Sequence, residues 1–162
     1  MTPTVIFLLQ FAMSLFVVAL IAAWYVAPWL ARLSVAAALS MLLLPHAFRH
    51  IGMSFMVPNL NNGGLPEAFA TSASYGDLLS AFLAIAALIA LRWRSMATLP
   101  LVWGFNILGT VDLVNALRQA EAINYFGPTW FIPTFFVPVL LVTHVMIFAR
   151  LLKAVGPKTA SA

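Results

Sequence analysis

The run Pro45-His46-Ala47-Phe48-Arg49-His50 places two imidazoles and a guanidinium within a chain that is otherwise mostly hydrocarbon. On an α-helix His46 and His50 share a face, about 40° apart, with Arg49 about 60° to the other side of His46. Two histidines four residues apart can reach one metal ion, and Asp112, Asp77 or His144 could complete the set. The resulting weak candidate metal site is His46, His50 and Asp112, best suited to a divalent ion. Met53 lies on the same stripe, and a thioether beside imidazole suits copper(I). Haem is a further option, with His46 or His50 facing His144 from another helix. Without a metal, the same rings carry protons or hydrogen-bond to Asn and Asp side chains and hold helices together.

Arg49 is the costliest of these groups to bury. It calls for a carboxylate partner, Asp77 or Asp112, or for an anionic ligand gripped by its planar fork of donors. Asp112 with Asn115 is the other candidate for chemistry, a carboxyl whose removal from water suits it to proton exchange.

The elements that position these groups follow from composition. The chain has 162 residues, 64% hydrophobic and 7% charged, with a mean hydropathy of +1.03. A soluble domain carries roughly 25% charged residues. Several apolar runs approach the roughly 20 residues that cross a bilayer. The expectation is an all-α, polytopic membrane protein, a single transmembrane domain over residues 1–162. Its five helices fall near 5–28, 34–57, 74–93, 98–117 and 132–152, joined on one side by long loops at 58–73 and 118–131. With no cysteine, disulfides, thiolate ligands and cysteine nucleophiles are excluded. No basic residue precedes the first apolar run, which therefore reads as a retained helix. There is no nucleic-acid motif, lipidation signal or serine-nucleophile elbow.

Five spans put Arg32, Arg92, Arg94, Arg150, Lys153 and Lys158 on one side and leave only Arg118 in the loops of the other. The positive-inside rule then predicts the N-terminus out and the C-terminus in, in a cell inner (plasma) membrane. The basic pI of 10.1 is explained by this topology signal rather than by an anionic partner.

Depth along each span, at about 1.5 Å per residue, brings the scattered polar residues into one layer in the outer half. The predicted ligand pocket comprises His46, Arg49, His50, Asp77, Asn106, Asp112, Asn115 and His144. Asp77 shares a face with Ser80, Ala81 and Ala84, a small-residue stripe that turns it into the bundle. The fourth helix, with polar groups over half its circumference, is expected at the centre. Pro45 is expected to kink the second helix near Met41. Gly63, Gly64 and Glu67 form a weak candidate lid. The pocket suits a membrane protein that binds or translocates a small ligand, a proton or a metal ion. The alternatives are an embedded enzyme acting on a lipid-soluble substrate and a structural subunit of a membrane complex. The bundle is small, so transport would call for a homo-oligomer or a partner membrane subunit.

Overall fold

The computed structural model describes residues 1–155, with side chains through Lys153. Lys158, counted above among the basic residues, lies outside them. All regular structure in this range is helical. Five helices are long and apolar enough to cross a membrane: α1 Pro3–Ala31, α2 Val35–Met56, α3 Glu67–Arg92, α4 Thr98–Leu117 and α5 Gly127–Lys153.

Local chemistry explains their ends and irregularities. Thr2 caps α1 by accepting from the Val5 N–H, and Pro3 occupies the first turn, where its missing donor costs nothing. Ser34 caps α2 in the same way through the Ala37 N–H. A π turn at Ala22–Val26 ends two residues before Pro28, and the Ala27 N–H reaches back to the Ala22 carbonyl. Proline lacks an N–H and crowds the carbonyl four residues earlier, and a widened turn accommodates it. The same device recurs in α5, where the π turn Ile132–Phe136 precedes Pro138.

Helix α2 changes character part way. It is α-helical through Ala47, two residues beyond Pro45, and 3-10 from Phe48 to Met56. A tighter helix that carries Arg49 and His50 thus begins three residues after Pro45.

Helix α3 starts at Glu67, two turns before the predicted 74, so the link from α2 shortens to 57–66. The segment Glu67-Ala68-Phe69-Ala70-Thr71-Ser72-Ala73 looks like loop because it is small and polar. It is helical because Phe69 and Ala73 are buried at the long-link end of the bundle. Glu67 therefore belongs to the first turn of a helix, where a negative charge complements the dipole, and not to a loop lid. Gly63 and Gly64 do lie in the link, with φ of 63° and 86°. That link is tied down, since the Asn62 N–H donates to the Tyr125 carbonyl at 3.0 Å.

The hub is α3, not the predicted α4: α3 packs against both halves of α2 and along α4. Its alanine and serine stripe (Ser74, Ser80, Ala81, Ala84, Ala87) is buried throughout and lets two neighbours approach closely. Helix α1 is peripheral, held mainly by α5; 6% of its most apolar window is buried, against 28–44% for the other four. The short links 32–34 and 93–97 share one end of the bundle. At the other end the Trp130 indole donates to Gln10 Oε1 at 2.6 Å, joining α1 to the start of α5.

Two apolar cores result. An aliphatic one at the short-link end includes Leu30, Leu39, Leu43, Ala84, Val102 and Ile147. An aromatic one at the long-link end is built on Phe7, Phe55, Phe69 and Phe126, whose rings stack or meet edge to face. The buried polar layer lies between them.

Candidate functional site

The layer resolves into two adjoining clusters. The first is centred on Arg49, whose side chain is fully buried. Its Nε donates to Asp77 Oδ1 at 2.7 Å, Nη1 to the Gly109 carbonyl at 3.1 Å, and Nη2 to Asp112 Oδ2. One guanidinium is thereby held by helices α3 and α4 together. Two carboxylates face one cation, so with both ionised the cluster carries a surplus negative charge.

Three glycines make this arrangement fit. A Cβ on Gly52 would collide with the Asp77 carboxylate, and one on Gly76 with that of Asp112. At Gly109 it would stand 2.8 Å from His144 Cε1 and 2.9 Å from Arg49 Nη1. Each glycine thus lets a neighbouring helix bring a charged or polar group against its backbone. The Ser74 hydroxyl reinforces the contact by donating to the Gly52 carbonyl at 3.1 Å.

The second cluster is a pair of buried imidazoles. The rings of His46 and His144 lie 4.2 Å apart, centroid to centroid, tilted by 54°. Phe105 meets His46 edge-on and stacks on His144. His144 Nδ1 donates to Asn106 Oδ1 at 2.6 Å, while Asn106 Nδ2 donates to the His144 carbonyl at 3.2 Å. His46 Nε2 pairs with Thr143 Oγ1 at 2.9 Å. The other nitrogen of each ring, His46 Nδ1 and His144 Nε2, is buried without a partner.

The structure therefore brings together His46, Arg49, Asp77, Asn106, Asp112 and His144. It places two other pocket candidates elsewhere: His50 and Asn115 are exposed. His50 departs because the helix tightens after Ala47. In a 3-10 helix the i,i+3 positions eclipse and the fourth residue moves round by about 120°, so Arg49 follows His46 inward and His50 turns out. Its Nδ1 instead pairs with the Ala47 carbonyl at 3.0 Å.

The donor set bears on a metal. His46 and His50 do not share a face, Asp112 is engaged by Arg49, and no group of three or more His, Cys, Asp or Glu among the described residues is placed to hold an ion. The His46 and His144 rings are also too close to bracket a haem iron. Bonds of about 2 Å from one metal to each ring would hold opposed centroids about 6 Å apart. The residues as arranged fit neither group.

A cavity of ≈ 50 Å³ opens above the carboxylates toward the long-link end. Asp77 and Asp112 line its floor, and its walls are apolar, with Phe7, Phe55, Phe69 and Phe126 among them. The side chains of Asp77 and Asp112 retain 12% and 15% exposure while Arg49 retains none. The acids, not the base, meet whatever enters.

Gly52, Gly76, Gly109, Ser74 and Thr143 are the members that sequence reasoning missed. The glycines had a legible signal: each sits one to three residues from Arg49, Asp77 or Asp112, inside a helix where glycine costs about 1 kcal/mol relative to alanine.

Neither a curated protein nor a solved structure matches the chain. Residues 6–152, which contain every member of both clusters, match one protein family. The chain belongs to the family described as Domain of unknown function (DUF8737).

Proposed function

We propose that the protein is a multi-pass membrane protein that takes up a single positive charge, a proton or a small organic cation, at the Asp77–Arg49–Asp112 cluster. The observation that carries this reading is the imbalance at the cavity floor: two carboxylates, one fully committed guanidinium, and only the carboxylates in contact with the cavity. An anion would meet negative charge there, and every nitrogen of Arg49 already has an acceptor. A cation restores neutrality, and the surrounding phenyl faces add cation–π attraction. The aromatic walls favour an apolar body on that cation over a bare hydrated ion.

In this reading the N-terminus and the two long links face the outside of an inner (plasma) membrane. The charge asymmetry of the loops supports that orientation. The cavity then receives its ligand from the non-cytoplasmic side. The core beneath the histidines is built on apolar side chains such as Leu39, Leu43, Ala84 and Ile147, so passage to the other side would need a second conformation or a partner subunit.

Calorimetric titration of the detergent-solubilised protein tests the site, with methylammonium against neutral methanol of similar size, both small enough for a cavity of ≈ 50 Å³. Saturable binding of the cation alone, lost in Asp112→Asn, is expected; infrared difference spectra should show an Asp112-dependent carboxyl band on acid titration. Absence of both signals from folded protein sinks the reading. Labelling of a cysteine placed at Asn62 from the cytoplasmic side would overturn the orientation.

A further inference from the structure

The peripheral helix α1 leaves a groove against α5 that the charge cluster does not use. Its apolar part is a cavity of ≈ 540 Å³ walled by Ala19, Ala23 and Ala27 of α1 and by Leu141, Val145 and Met146 of α5. Alanines at every fourth position keep one face of α1 shallow, and the next in the series, Ala31, continues it to the end of the helix. There the groove runs into a second hollow that shares Ala27 and Met146 with the first and is lined by Arg150 and Lys153. Neither cation has an acidic partner among the described residues, whose ion pairs are both made by Arg49.

We propose that this groove seats one anionic phospholipid of the leaflet at the short-link end. Arg150 and Lys153 hold the phosphate and an acyl chain lies between α1 and α5. The dimensions agree. From Lys153 to Leu141 along α5 is about 18 Å at 1.5 Å per residue, and one leaflet of hydrocarbon is about 15 Å deep. Charge complementarity selects the occupant: two uncompensated cations at the hydrocarbon boundary attract an anionic headgroup. A neutral lipid fills the apolar part equally well but leaves both cations unmet. The bound lipid would also pin α1, which has little burial of its own, to α5.

The proposal rests on the bilayer placement above but not on the cation site, and its test uses a different readout. Thermal unfolding of the full-length protein in detergent is followed with added phosphatidylglycerol, with phosphatidylcholine of the same chains, and with glycerol phosphate. Phosphatidylglycerol is expected to raise the melting temperature by several degrees and the other two far less, because a ligand specific to the folded state stabilises it by mass action. The selective rise should vanish in Arg150→Gln/Lys153→Gln. It should shrink in Ala23→Leu, which fills the groove, and persist in Asp112→Asn. Equal stabilisation by the two lipids, equal stabilisation by glycerol phosphate, or an undiminished response in the double variant would overturn the proposal. The double variant changes only residues at the mouth, so it keeps the test decisive even where Ala23→Leu fails to fold.

Discussion

The two polar clusters sit side by side in one layer, yet they solve the problem of burial in opposite ways. At Arg49 each nitrogen has an acceptor, drawn from two helices, and the residual charge is gathered on carboxylates that reach a cavity. At His46 and His144 each ring is oriented by one bond, to Thr143 or Asn106, while its second nitrogen stays buried and unmatched. A guanidinium cannot shed its charge and must be fully paired. An imidazole has a form without charge, so it tolerates a half-satisfied site at the smaller cost of one lost hydrogen bond. The first cluster is therefore expected to govern folding and ligand entry, and the second to tune the packing of α2, α4 and α5.

The difference is best broken at its strongest point. Arg49→Met leaves two carboxylates buried without their cation. It is expected to cost about 3–5 kcal/mol and to abolish the monodisperse folded peak in size-exclusion chromatography. Adding Asp77→Asn and Asp112→Asn should restore much of that peak, because the triple variant buries no net charge. If Arg49→Met alone folds as well as the wild type, the paired-charge account fails.

A smaller loss is expected when the cradle rather than the charge is altered. Gly76→Ala forces a methyl against the Asp112 carboxylate, an overpacking that costs about 1–3 kcal/mol. Gly104→Ala, at a position open beyond 4 Å, should be neutral or stabilising by up to about 1 kcal/mol. Melting temperatures of the pair distinguish a glycine required for close approach from one that is incidental.

Within the histidine pair the effect should be milder. Asn106→Leu removes the acceptor that orients His144 and is expected to cost about 1–2 kcal/mol. It should leave methylammonium binding in place, whereas Asp112→Asn should remove it. Loss of binding in Asn106→Leu protein with an intact fold would show that the two clusters act as one. The least effect is reserved for His50→Ala, an exposed site expected to stay within about 0.5 kcal/mol of wild type in the same melts.

Much of this was legible in the residues. Five long apolar runs imposed five helices whose backbone bonds are satisfied internally, and span ends at 98 and 117 coincide with those of α4. The pairing of Arg49 with Asp77 and Asp112 could be anticipated from elimination, because few carboxylates are available to match a buried cation. Three features escaped for identifiable reasons. The outward turn of His50 depends on a 3-10 segment that apolar periodicity does not reveal. The early start of α3 depends on burial of Phe69 and Ala73 against another part of the chain. The hub role of α3 rather than α4 follows from side-chain size, where polarity had pointed to α4.

The sequence by itself determined the helical class, the number of apolar spans and the need to compensate Arg49, since each follows from the cost of placing polar groups in hydrocarbon. Only the tertiary structure decided that the two imidazoles of α2 split, His46 inward and His50 outward. It also decided that three glycines cradle the charges and that the carboxylates rather than the guanidinium face the cavity. These are questions of contact between helices distant in sequence, and they turn on gaps of one methyl group, which no composition or periodicity encodes.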